Sequence, residues 1–138
     1  LAQAAVESGW GTSRFAQEGN APFGQWTSKD HAGMVPKERK AGMTHKVRSF
    51  DSLKKSAESY LRNLNTHRAY KGLRELRASF RKDDKPIDSI AIAGTLLKYS
   101  EKGMAYVELL RNIIKKNDLR ALDSARLGES VLDFRPGA

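Results

Sequence analysis

Ala2-Gln3-Ala4-Ala5-Val6-Glu7-Ser8-Gly9-Trp10-Gly11-Thr12-Ser13 is the stretch around which the rest of the chain is organised. It opens as an alanine-rich run of high helix propensity. It stops at Gly9, with Gly11 close behind, so a short helix ends there under a left-handed glycine cap. Glu7 therefore falls in the last turn. The C-terminal end of a helix carries partial negative charge, which disfavours ionisation of a carboxyl group and raises its pKa. Trp10 folded over it would add desolvation in the same direction. A carboxyl that keeps its proton near neutral pH is what a general acid requires. The competing reading is an exposed glutamate at a helix end, because a perturbed carboxyl marks function only statistically.

Outward from this stretch, Thr12 and Ser13 can cap a second short helix that runs through Glu18 and ends at Gly19-Asn20. Ala21-Pro22-Phe23-Gly24 reads as a turn. Met43, His45 and Val47 alternate with Thr44, Lys46 and Arg48, which predicts a strand. Gly33 to Lys37 supplies its hairpin partner, with Lys40-Ala41-Gly42 as the turn. Asp51 or Ser52 caps a helix whose apolar face is Leu53, Ala57, Tyr60, Leu61 and Leu64, and Asn65-Thr66-His67 breaks it. A helix over 68–81 carries Leu73, Leu76 and Phe80. Another, capped by Asp88, carries Ile87, Ile90, Ala91, Gly94 and Leu97. Tyr106, Val107, Leu110, Ile113 and Ile114 follow the one-face template most closely, and Asn117-Asp118 ends that helix. The pattern describes an α+β chain that is predominantly α-helical, with one small β-hairpin.

Ala2 to Ser13, continued by Arg14-Phe15-Ala16 and Asn20-Ala21-Pro22-Phe23-Gly24, resembles the signature of the bacterial glucosaminidase domain, glycoside hydrolase family 73, of the mannosyl-glycoprotein endo-β-N-acetylglucosaminidase type. Leu64-Asn65-Thr66-His67-Arg68-Ala69-Tyr70 and Tyr99-Ser100-Glu101-Lys102-Gly103, followed by Ala105-Tyr106-Val107, are closest to the family's Bax-like branch. Four separated stretches match in the family's order. The resemblance implies a lysozyme-like fold whose β-hairpin lobe walls a cleft. It implies a catalytic domain over residues 1–119, truncated at its N-terminus, and a C-terminal extension over 120–138 that packs on the domain or frays from it.

For the site, the resemblance marks Glu7 as the acid and Tyr70 as a cleft tyrosine near it. It places Asn20, Phe23 and Gly24 along the cleft, whereas Ala21-Pro22 replaces the usual Asn-Leu. Glycoside hydrolysis asks for a second group to stabilise the developing cation or to activate water. The family carries a second acid on the β-lobe. Glu38 is the best-placed acid there and Asp30 its rival, with a surface ion pair as the competing reading of Glu38. A mechanism assisted by the substrate's own acetamido group lowers the need for either. Trp10, Trp26 and Tyr60 offer apolar faces to sugar rings, or pack.

Composition sets the remaining bounds. A length of 138 residues suits one domain, and 39% hydrophobic with 30% charged residues describes an ordinary globular chain. No run approaches the roughly 18 apolar residues of a membrane span. The absence of cysteine excludes disulfides and cysteine–metal sites. The three histidines, at 31, 45 and 67, have no ligand spacing, so no metal or cofactor is expected, and His67 reads as a cap or packing residue. The chain starts at Leu1 inside a helix, so a missing leader says nothing, and the resemblance implies a periplasmic or cell-envelope location. The net charge of +9 favours a polyanionic partner. The resemblance makes that partner peptidoglycan glycan strands, cut by a monomer between N-acetylglucosamine and N-acetylmuramic acid. No recognition-helix or aromatic RNA-binding signature is present, so nucleic acid is not expected. Two alternatives stand beside this reading: a muramidase or lytic transglycosylase, and a non-catalytic basic polyanion-binding module.

Overall fold

The structure, a computed structural model, describes residues 1–27, 33–37 and 41–125. Its helices are α1 (Ala2–Ser8), α2 (Arg14–Gly19), α3 (Leu53–Thr66), α4 (Lys71–Lys82), α5 (Ser89–Ala93) and α6 (Met104–Lys116). Three strands, β1 (Trp26–Thr27), β2 (Gly33–Met34) and β3 (Lys46–Arg48), form a small antiparallel sheet. The chain is thus a predominantly helical α+β fold.

α6 is the axis of the core. Tyr106, Val107, Leu110 and Ile114 recur on one face and are buried, as their spacing requires. α1, α5 and the 3-10 turn Leu119–Leu122 pack against α6. Ala2, Leu64, Tyr70, Leu73, Ala93 and Leu96 complete the buried cluster. Several starts follow from their caps. Ser13 accepts from the Ala16 N–H, Ser52 from Lys55, and Asp88 from both Ile90 and Ala91, which satisfies donors that the first helical turn leaves without partners.

The structure corrects several boundaries. The expected hairpin of β2 and β3 is joined by β1 on the other side of β3, in the order β1-β3-β2, giving three strands. Val47, which is buried, is registered against both Trp26 and Met34. β3 covers only Lys46–Arg48 because its two partners are each two residues long. The helix expected over 68–81 begins as a 3-10 turn, Arg68–Tyr70, before α4. His67 Nδ1 accepts from the Ala69 N–H and caps that turn. On α3, Leu53 and Leu61 are exposed, and the buried face is Ser56 and Leu64. α5 runs into a 3-10 turn, Gly94–Leu96, which buries Ala93 and Leu96 and leaves Ile87 and Leu97 outside. Residues 126–138, most of the expected C-terminal extension, lie outside the described residues.

Candidate active site

α1 ends as its sequence dictates. Gly9 takes a left-handed conformation, φ 57° and ψ 50°, and the N–H groups of Gly9 and Trp10 return to the carbonyls of Val6 and Ala5. This is the doubly bonded glycine cap that closes a helix within one residue. Ser8 fastens the turn further, bonding the Ala4 carbonyl and accepting from the Gly11 N–H. Glu7 is thereby held on the last turn of a rigid element.

The Glu7 side chain enters a cleft of about 750 Å³. Gly24, Gln25 and Trp26 line it from the loop before the sheet and from β1, and Arg48 from β3. α3 contributes Ser59, Arg62, Asn63 and Thr66, followed by Tyr70. Tyr99, Ser100, Glu101 and Lys102 come from the turn before α6. Burial pushes the Glu7 carboxyl above the usual glutamate range, against the opposing pull of a hydrogen bond with Tyr106 and of the Lys102 ammonium. Gly24 closes on the carboxyl so tightly that a β-carbon there would lie 2.7 Å from Glu7 Oε2.

Four aromatic contacts frame this acid. Phe23 stacks on Tyr60 with centroids 4.2 Å apart, Tyr99 stacks on Tyr106 at 5.8 Å, and Tyr99 also meets Tyr60 and Tyr70. All four tyrosines of the chain belong to this cluster. Burial pushes each of their hydroxyls above the ordinary tyrosine range. They therefore remain neutral hydrogen-bonding groups at any pH where a carboxyl titrates. The Tyr99 hydroxyl donates to the Phe23 carbonyl at 2.9 Å, which ties the 20–24 loop to the cluster. Asn63, which lines the same cleft, opposes the upward push of burial on the Tyr70 hydroxyl.

The residues singled out from the sequence separate accordingly. Glu7, Gly24, Trp26 and Tyr70 come together at the cleft. Trp10 is 65% exposed and does not line it, so Glu7 owes its burial to Gly24 and the tyrosines rather than to Trp10. Asn20 donates to the Phe50 carbonyl and adopts a left-handed turn conformation. Phe23 packs on Tyr60. Glu38 and Asp30, the candidates for a second acid, lie outside the described residues. Among the described cleft residues the carboxylate besides Glu7 is Glu101, which is exposed.

Sequence reasoning gave no part in the site to Gln3, Tyr99 or Tyr106, and read Tyr106 only as a core residue of its helix. Gln3 carried a signal, since it precedes Glu7 by four residues and so shares its helical face.

Comparison with known proteins places the chain in a family. The family model described as Glucosaminidase, mannosyl-glycoprotein endo-beta-N-acetylglucosaminidase, matches residues 1–119. The chain belongs to the glucosaminidase family. This glucosaminidase domain is 38% identical over 114 residues to Protein bax of Escherichia coli (strain K12), covering 83% of the chain and 40% of that protein. It therefore spans about two fifths of the length of that relative. No solved structure matches it significantly. Family membership supports, in general terms, a glycosidase related to peptidoglycan that acts on a glycan. Among the described residues of the domain, no helix is long and apolar enough to cross a membrane.

Proposed function

We propose that this domain is a peptidoglycan hydrolase that cleaves the β-1,4 bond between N-acetylglucosamine and N-acetylmuramic acid, with Glu7 as its general acid. The observation that carries the reading is the Glu7 carboxyl itself, held at a helix end, pushed upward by burial and opening onto a cleft of about 750 Å³. A protonated carboxyl in that position delivers its proton to the leaving glycosidic oxygen. Tyr70, facing the same cleft, is a hydrogen-bonding group for the sugar or the reacting water. The second group is Glu38 or Asp30 if the enzyme uses two carboxylates. Carboxyls about 5 Å apart would give retention and about 6.5–9.5 Å inversion. With neither, the acetamido group of the substrate takes that part. Residues 1–119 are the catalytic unit of this reading, and the cell envelope, where peptidoglycan lies, is its place of action.

The test is digestion of purified peptidoglycan followed by borohydride reduction and mass spectrometry of the fragments. Reduced N-acetylglucosamine ends support the proposal. Reduced muramic ends would replace it with a muramidase, and anhydro-muramic ends, which borohydride leaves unchanged, with a lytic transglycosylase.

A further inference from the structure

The α3 wall of the cleft is polar along its whole length. Ser59, Arg62, Asn63 and Thr66 line it at spacings of i, i+3, i+4 and i+7, which sets them on one helical face. Apolar residues at this spacing bury a helix in a core, but these four are polar and line an open cleft. β3 meets the wall through Arg48. Its Nη1 donates to Ser59 Oγ at 3.0 Å, and its guanidinium carbon lies 4.8 Å from the centre of the Phe50 ring. Phe50 is itself held: its N–H donates to the Gly19 carbonyl at 2.8 Å, and its carbonyl accepts from Asn20. The Arg48 N–H donates to the Gln25 carbonyl at 2.7 Å. The guanidinium is thus fixed on one face and at one nitrogen while the residue stays exposed and lines the cleft.

A guanidinium carries several N–H donors in a rigid fork, and Ser59 engages only one nitrogen of this one. Among the described residues, no carboxylate forms an ion pair with Arg48 or Arg62. The carboxyls that line the cleft are Glu7, which burial pushes towards its neutral form, and Glu101, against the three cations Arg48, Arg62 and Lys102. Fixing an arginine side chain costs rotamer entropy, and a guanidinium already fixed loses less on meeting a planar anion. A carboxylate is such an anion and takes the fork with two oxygens.

We propose that Arg48 is a specificity-determining residue: it grips a carboxylate carried beside the glycan, on the lactyl arm of the muramic acid or on the peptide stem attached to that arm, which lies along the polar face of α3. The inference rests on the reading of this cleft as a peptidoglycan site. A glycan of N-acetylglucosamine alone has no carboxylate and leaves the guanidinium without its anion. Arg62 adds charge from α3 with no neighbour to hold it, and Lys102 adds charge from the turn before α6. Arg48 is the cation whose direction is set, by Ser59 and Phe50.

The test is equilibrium binding at neutral pH to the Glu7→Gln protein, which keeps its ligand uncut. Calorimetry compares three tetrasaccharides: alternating N-acetylglucosamine and N-acetylmuramic acid with peptide stems, the same sugars freed of their stems so that the lactyl carboxylate is bare, and chitotetraose. At least one carboxylate-bearing probe should bind about tenfold more tightly than chitotetraose. Arg48→Gln should abolish that margin and leave chitotetraose binding unchanged. Arg48→Lys should lose most of it, because an ammonium keeps the charge but neither the fork nor the stack. Ser59→Ala should lose part of it. A margin confined to the stem-bearing probe places the carboxylate on the stem, and one confined to the stem-free probe places it on the lactyl arm; either supports the proposal when Arg48→Gln abolishes it. The absence of any margin, or a margin kept in full by folded Arg48→Gln or Arg48→Lys, would overturn it. If the Arg48 variants fail to fold, a full margin in Ser59→Ala would overturn it instead. A wild-type protein that leaves peptidoglycan intact, with a margin that depends on Arg48, would count against the proposed function alone. One that digests peptidoglycan, with a margin indifferent to Arg48, would count against this inference alone.

Discussion

Gly24 and Glu7 are in direct opposition: the α-carbon of Gly24, at φ 60°, faces the Glu7 carboxyl with no room between them for a methyl group. The loop and the helix end thus meet at one point, and Gly24 covers one side of a carboxyl whose other side opens onto the cleft.

Gly24→Ala should accordingly displace the carboxyl. Turnover is expected to fall about 100-fold, the cost of roughly 1 Å of misplacement at a reacting group. The fold should survive, because a left-handed alanine costs only about 1–2 kcal/mol. Calorimetry beside an activity assay checks both halves of the statement.

Tyr99→Phe should act through the same loop from the other side. It keeps the stack on Tyr106 but removes the donor to the Phe23 carbonyl. A partly buried carbonyl left without its donor costs about 1 kcal/mol. Denaturant unfolding should show that loss, with a larger proportional loss of turnover because Gly24 is the next residue along.

The ionisation of Glu7 gives a prediction with a definite sign. Burial raises its folded-state pKa above the unfolded value. The stability it contributes is therefore fully present below the ordinary glutamate range and is lost as pH rises through the folded value. Glu7→Gln should melt with the wild type near about pH 4 and above it at neutral pH. Turnover should fall on the alkaline side of the same raised value, because only the protonated acid can donate. Parallel melting curves and rate profiles across pH test this directly.

Arg48, Arg62 and Lys102 give the cleft a positive lining. Arg62→Gln should raise KM for peptidoglycan about two- to fivefold at low salt, the worth of one exposed ion pair. The difference should vanish at high ionic strength and be absent on an uncharged N-acetylglucosamine oligomer. A salt series on both substrates measures it.

Legibility in the sequence followed the range of the forces involved. The stripe of α6, the caps at Ser13, Ser52 and Asp88, and the stop at Gly9 are local, and the structure shows them where the residues place them. The buried face of α3 was not legible. Leu53 and Leu61 read as core, yet they are exposed while Ser56 is wholly buried, since neighbouring elements and not hydropathy choose which face is covered. β1 escaped because two residues have no period. Of the cleft residues, Glu7, Gly24 and Tyr70 lie in local motifs, and Trp26 stands out in the sequence only as an aromatic residue. Tyr106 meets Gln3, one helical turn before Glu7, only because α6 packs on α1, and no local pattern announces that pairing.

The most direct measurement is the turnover of peptidoglycan by Glu7→Gln beside its far-ultraviolet circular dichroism and melting temperature. The account predicts a folded variant, no less stable than the wild type at neutral pH, that releases no glycan fragments. A folded Glu7→Gln protein that digests peptidoglycan at the wild-type rate would contradict the account, because the proton would then come from another group.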